Sequence, residues 1–132
     1  YLLQRMETFD GLAILSTNLR ANVDEAFSRR LDSLVDFPMP EGQYRRVLWN
    51  ASLGSRIPRA ADVDLLFLAD RFELSGGNIR SIALTAAYMA AETGLPVTMA
   101  DLVRATAREY RKLGRLIVRQ EFGEYHDLVR SE

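Results

Sequence analysis

Apolar residues recur every three or four positions along most of this chain, and the places where that period fails mark a change of element. Leu2, Leu3 and Met6 share one side of an opening pattern whose other side carries Gln4, Arg5 and Glu7, so residues 1–7 predict a helix. Thr8-Phe9-Asp10-Gly11 predicts a turn, because Asp and Gly supply local hydrogen bonding and backbone freedom. Residues 12–15, Leu-Ala-Ile-Leu, have no helical period; an unbroken apolar run predicts a strand covered on both faces, as in a parallel sheet. Asn22 and Asp24 offer caps for a short helix over 25–30, and residues 34–37, Leu-Val-Asp-Phe, predict a second strand. Pro38-Met39-Pro40 closes this region, since each proline fixes its own φ and drives the preceding residue toward extended geometry.

Everything after Pro40 has the helical period. Residues 41–53 carry Tyr44, Val47, Leu48 and Ala51 at helical spacing and stop at Gly54, and Asp64 caps a second helix carrying Leu65, Leu68, Ala69 and Phe72. The clearest helix begins at Ser75, with Ile79, Ile82, Ala83, Ala86, Ala87 and Ala90 at intervals of three and four and Gly94 as its stop. Thr98 and Asp101 form a capping-box pair before a fourth helix, in which Met99, Leu102, Thr106, Tyr110 and Leu113 share a face. Beyond Gly114 the apolar Leu116-Ile117-Val118 gives way to a polar end. Extension of the fourth helix, separate packing and fraying are all compatible with that pattern.

Composition narrows the chemistry. A chain of 132 residues, 48% hydrophobic, can bury the core of one domain or of two small ones. Its formal net charge of −1 disfavours a nucleic-acid surface. With no cysteine there is no disulfide, thiol chemistry or cysteine-ligated zinc. No apolar run approaches the ~18 residues that cross a bilayer, so the expected location is cytoplasmic and no membrane partner is expected. Of 17 basic residues only Lys112 is a lysine, which leaves one candidate for a phosphate-gripping lysine. Because Tyr1 stands inside an amphipathic pattern, the chain is expected to be a fragment of a longer protein.

Three segments carry candidate chemistry, each with a plain alternative. Ser16-Thr17-Asn18 ends the apolar run at 12–15. At the carboxyl end of a parallel strand Asn18 would face a ligand crevice, and otherwise the three residues simply start a loop. Phe27-Ser28-Arg29-Arg30-Leu31-Asp32 carries an arginine pair whose planar charge can stabilise phosphate across a subunit interface; the alternative is an ion pair with Glu25 or Asp32. Ser75-Gly76-Gly77-Asn78-Ile79-Arg80 puts two glycines in a helix start, at a cost of about 1 kcal/mol each relative to alanine. Open N–H groups there would take an anion within reach of Arg80, or the glycines would allow a close helix contact. His126, the sole histidine, has no nucleophile or metal-ligand partner nearby in sequence and is expected at the surface.

In their order and spacing these segments resemble the second half of an AAA+ ATPase module over residues 1 to about 113. Residues 12–18 look like the sensor-1 strand with Asn18 as its polar residue, residues 27–32 like the arginine-finger segment, and residues 75–80 like the sensor-2 start of a lid helix. The resemblance implies a mainly α fold with a small α/β part. Residues 1–39 would be the remnant of a parallel-sheet P-loop NTPase core, 40–113 a four-helix lid, and 114–132 a tail. It implies ATP and Mg2+ bound between core and lid of the full-length protein, a homo-oligomeric ring, commonly a hexamer, and a protein substrate that is remodelled or unfolded. Asn18, Arg30 and Arg29 would be catalytic, Arg30 being favoured as the finger, while Arg80, Gly76, Gly77 and Asn18 would contact nucleotide. The 132 residues contain neither G-x-x-x-x-G-K-[ST] nor an apolar strand ending in Asp-Glu. Alone, the chain is therefore expected to bind no nucleotide tightly, to hold no metal and to be inactive. A non-catalytic helical interaction module and a nucleic-acid-remodelling AAA+ protein are the alternatives.

Overall fold

A computed structural model of the chain describes residues 2–18 and 25–130. They fall into two compact units that divide between Phe37 and Pro38. In the first unit the helices are α1 (Leu2–Thr8) and α2 (Glu25–Ser28). Neither predicted strand forms: residues 12–17 and 33–37 have no regular structure. A strand is stable only when its N–H and C=O groups meet those of a neighbour. Two four-residue runs separated by a helix are too short to supply that neighbour for each other. The expected sheet remnant is thus corrected to irregular chain among the described residues, and apolar side chains meant for burial stay in solvent, with Leu12 85%, Ile14 84% and Phe37 93% exposed. The caps read at Asn22 and Asp24 lie outside the described residues.

The second unit is a helical bundle of α3 (Gly42–Leu53), α4 (Leu65–Arg71), α5 (Gly76–Thr93) and α6 (Met99–Lys112), followed by α7 (Arg119–Phe122), a 3-10 turn (Gly123–Tyr125) and α8 (His126–Val129). Local chemistry sets most of the ends. Asp64 Oδ1 accepts from Phe67 N at 3.0 Å. The Thr98 hydroxyl accepts from Asp101 N at 3.2 Å while the Asp101 carboxylate accepts from Thr98 N at 2.9 Å, so the predicted capping box is formed. Gly94 stops α5 in the left-handed region at φ 68°, its N–H donating to Ala90 O and Ala91 O.

Burial follows the predicted period in α4, α5 and most of α6, but α3 is a correction: Tyr44, Val47 and Ala51 of the predicted apolar face are exposed, and Arg45, Trp49 and Leu53 are buried instead, because the face that meets α4 and α5 is set by packing and not by the local period. α5 packs against both α3 and α6, and α3 packs against α4. Trp49, Leu53, Leu68, Ile79, Ile82 and Leu102 are essentially solvent-free at that junction. Two tertiary ties have no local signature. Arg45 is buried, with Nε donating to Ala69 O at 2.7 Å and Nη1 to Pro40 O at 2.6 Å, so its charge enters the bundle hydrogen-bonded on two sides. Residues 58–60 pair with Val97 as a short parallel bridge, Ala60 N to Val97 O at 2.8 Å and Val97 N to Pro58 O at 2.9 Å, which fastens the α3–α4 loop to the α5–α6 loop.

The tail packs back on the bundle. Phe122 is fully buried, its ring 4.9 Å from Phe72 and 5.5 Å from Tyr110, both edge-on. Arg111 Nη2 donates to Val129 O at 2.7 Å, and Tyr110 Oη donates to Glu121 Oε1 at 3.2 Å. Burial first, and then the Glu121 carboxylate, push the Tyr110 phenol well above its ordinary value. Unfolded tyrosine loses its proton near pH 10 whereas folded Tyr110 keeps it, so above about pH 10 the unfolded state binds fewer protons and stability falls. Urea midpoints should therefore hold to about pH 9 and decline by about pH 11, with a shallower decline in Tyr110→Phe. An equally steep decline in that variant would assign the effect to other groups.

Candidate functional site

The first turn of α5 is built by a reciprocal cap. Ser75 Oγ accepts from Asn78 N at 3.2 Å, and Asn78 Oδ1 accepts from Ser75 N at 3.3 Å and from Ser75 Oγ at 2.6 Å. That cap leaves the N–H groups of Gly76 and Gly77 without a hydrogen-bond partner among the described residues. A Cβ on Gly76 would stand 3.6 Å from Leu48 Cδ1 and one on Gly77 3.8 Å from Ser75 Oγ, both ordinary contacts. Packing within this chain does not require either glycine, so a helix contact that only glycine permits is not the reason for the pair.

Arg80 lies one turn further along, exposed, on a solvent-facing stripe with Gly77, Leu84 and Tyr88. Among the described residues no carboxylate lies within ion-pair distance of it. Two open amides at the positive end of an 18-residue helix, with Arg80 one turn along the same exposed stripe, suit an anionic oxygen group such as a phosphate. Among the described residues no three His, Cys, Asp or Glu side chains converge on a metal-sized site.

The side of this turn that faces α6 holds a residue that sequence reading missed. Glu109, only 7% exposed, accepts from Asn78 Nδ2 through Oε1 at 3.1 Å and from Ser81 Oγ through Oε2 at 3.2 Å, with Lys112 Nζ 3.7 Å away. Its period was legible, since Glu109 stands seven positions after Leu102 and three after Thr106 on the apolar face of α6. What it meets there was not.

The other candidates belong to the first unit. Asn18 is exposed at a bend, the last described residue before residue 25. Arg29 pairs with Glu25 at 2.7 Å, one of the two partners foreseen, and Arg30 pairs with Glu7 of α1 at 2.7 Å. The structure thus groups Gly76, Gly77 and Arg80 on one helix end, and Arg29 beside Arg30 after α2. His126, expected at the surface, is only partly exposed, its side chain at 20%. An open groove of about 590 Å³ lined by Gln43, Arg46, Val47 and Leu66 between α3 and α4 contains none of these residues. Among the described residues no helix is long and apolar enough to cross a membrane.

The family model for the contractile injection system ATPase helical domain matches residues 41–112, the stretch that holds α3 to α6 and the α5 site. The chain is 28% identical over 99 residues to a katanin p60 ATPase-containing protein of Danio rerio, covering 74% of this chain and 20% of that protein. It is 32% identical over 119 residues to a probable 26S proteasome regulatory subunit 6B of Caenorhabditis elegans, covering 84% and 28%. With a proteasome-activating nucleotidase of Saccharolobus solfataricus it shares 33% identity over 112 residues, covering 79% and 28%. The chain spans less than a third of the length of each of these relatives.

Proposed function

The chain belongs to the AAA+ ATPases, in the family of contractile injection system ATPase helical domains, and from that premise we infer that it supplies the lid and the arginine-bearing half of a nucleotide site in a longer ATP hydrolase. The observation that carries this reading is the α5 start, where two open amides are followed one turn on, within the family-matched stretch, by an exposed Arg80 with no carboxylate partner among the described residues. Residues 40–113 act as the lid. Gly76 and Gly77 offer backbone N–H groups to phosphate oxygens, and Arg80 neutralises the terminal phosphate from the same subunit. ATP supplies the phosphoanhydride whose cleavage drives the cycle, with Mg2+ held by residues other than those described.

Residues 1–39 belong to the nucleotide-binding core. Their exposed apolar runs at 12–15 and 34–37 support this, because side chains of that kind seek cover by neighbouring strands of a sheet. Asn18 then positions the attacking water or senses the terminal phosphate. Arg30, with Arg29 beside it, reaches the site of the next subunit in a homo-oligomeric ring, as a hexamer. The work is remodelling or unfolding of a protein substrate, and the family assignment points to a component of a contractile injection system. Closing and opening of the lid couples nucleotide state to that work.

The test compares the full-length protein with the 132-residue chain. Magnesium-dependent ATP turnover is expected from the former and none from the latter, since the chain has no phosphate-cradling loop of its own. Robust turnover by the 132 residues alone would overturn the division of the site proposed here.

A further inference from the structure

Arg80 sits one turn into α5, just beyond a first turn whose two glycines, Gly76 and Gly77, each lower helix propensity by about 1 kcal/mol relative to alanine. Beyond a glycine-bearing start, a contact from outside the helix can fix the rotation of the turn that carries Arg80. Glu109 is placed to do so. Its two carboxylate oxygens bind Asn78 at 3.1 Å and Ser81 at 3.2 Å, which stand two residues before Arg80 and one after it. Asn78 and Ser81 are three apart and share a face. Gripping that face against α6 fixes the angle of the turn about its axis, and with it the direction in which Arg80 leaves the helix.

The rest of the network supports a positioning role over a merely stabilising one. Burying a carboxylate is costly, and Glu109 is buried against two neutral donors with its nearest cation, Lys112, at 3.7 Å on an exposed side chain. An apolar residue on the same face of α6 would fill the space without that cost. Asn78 also serves two masters: its Oδ1 closes the cap with Ser75 while its Nδ2 reaches Glu109, so the helix start and the α6 anchor are one hydrogen-bonded unit.

We propose that Glu109 is a positioning residue for nucleotide binding, which acts through Asn78 and Ser81 to aim Arg80 at the terminal phosphate. This rests on the reading of Arg80 as a phosphate contact. Glu109 itself does not touch the nucleotide.

The test is an equilibrium titration of the full-length protein with a slowly hydrolysed ATP analogue, in the presence and absence of Arg80. Asn78→Asp keeps an acceptor for Ser75 but sets a carboxylate against Glu109, and Glu109→Leu removes the anchor; each should weaken binding by about tenfold, the scale of a misdirected charge-assisted hydrogen bond. Glu109→Gln, which still accepts from Asn78 and donates to Ser81, should restore most of the affinity. In an Arg80→Ala background neither Asn78→Asp nor Glu109→Leu should weaken binding further. Equal losses with and without Arg80 would overturn the proposal, as would unchanged binding in both variants when Arg80→Ala alone binds weakly. If Arg80→Ala binds as tightly as wild type, the phosphate-contact reading itself fails, and that single variant shows it. Should Glu109→Leu fail to fold, Asn78→Asp, whose cap is intact, decides the outcome.

Discussion

Arg30→Ala should lower ATP turnover of the full-length protein by ~10³-fold or more, about 4 kcal/mol of barrier, while ATP affinity stays nearly unchanged. The size follows from when the charge is needed. A guanidinium that meets phosphate oxygens as charge develops lowers the barrier without tightening the ground state, so the loss falls on kcat. Arg30 is free to move to that task. Its pair with Glu7 is short, 2.7 Å, but the two side chains are 40% and 51% exposed. Exposed pairs of this kind contribute only ~0.2–1 kcal/mol, so exchanging Glu7 for a phosphate on a neighbouring subunit costs little. Glu7→Gln should accordingly leave turnover intact. Arg29→Ala, which breaks an equally short and more exposed pair with Glu25, should have a smaller effect than Arg30→Ala if Arg30 is the finger. A large loss of ATP binding in Arg30→Ala would instead assign that residue to holding α1 and α2 together.

Phe122→Ala should destabilise the helical unit by about 3–5 kcal/mol, read as a lower urea midpoint with a preserved slope. The ring is solvent-free between Phe72 and Tyr110, and deleting it removes both edge-on contacts and leaves a cavity. The consequence reaches beyond one side chain, because α7 and α8 have four residues each and no stability as isolated helices. Packing and the bonds from Arg71 to Gln120 O, Arg115 to Glu73 O, Tyr110 to Glu121 and Arg111 to Val129 O hold the tail in place. Since a domain of this size has only about 5–15 kcal/mol of stability in total, the variant should also expose the tail to proteolysis. A change below about 1 kcal/mol would mean that the tail is an appendage and not part of the core.

Where the fold was legible, the signal was local. Ile79, Ile82, Ala83, Ala86 and Ala90 all face the core as their spacing required, and Asp64, Ser75 and Thr98 cap the helices they precede. Where reading failed, the deciding partner was remote. The runs at 12–15 and 34–37 have strand composition, but composition supplies no neighbour to pair with. Phe122 and Val129 lie in a segment with no helical period of useful length, and the burial of Phe122 depends on the rings of Phe72, just past the end of α4, and Tyr110 of α6.

The same division runs through the candidate site. Gly76, Gly77 and Arg80 stood out in sequence because glycine in a helix start is a local anomaly, and the amides it leaves open are a property of that turn alone. By itself, then, the chain determines its helices, their caps and the residues offered to a phosphate, since each rests on hydrogen bonds and side-chain periods spanning a few residues. Only tertiary structure decided that Arg45 and Glu109 would be buried with their partners, that the tail would complete the core and that one face of α5 would be held by α6. Those outcomes depend on which surfaces meet once the helices pack, and a buried charge is tolerated only where a distant element brings the matching donor or acceptor.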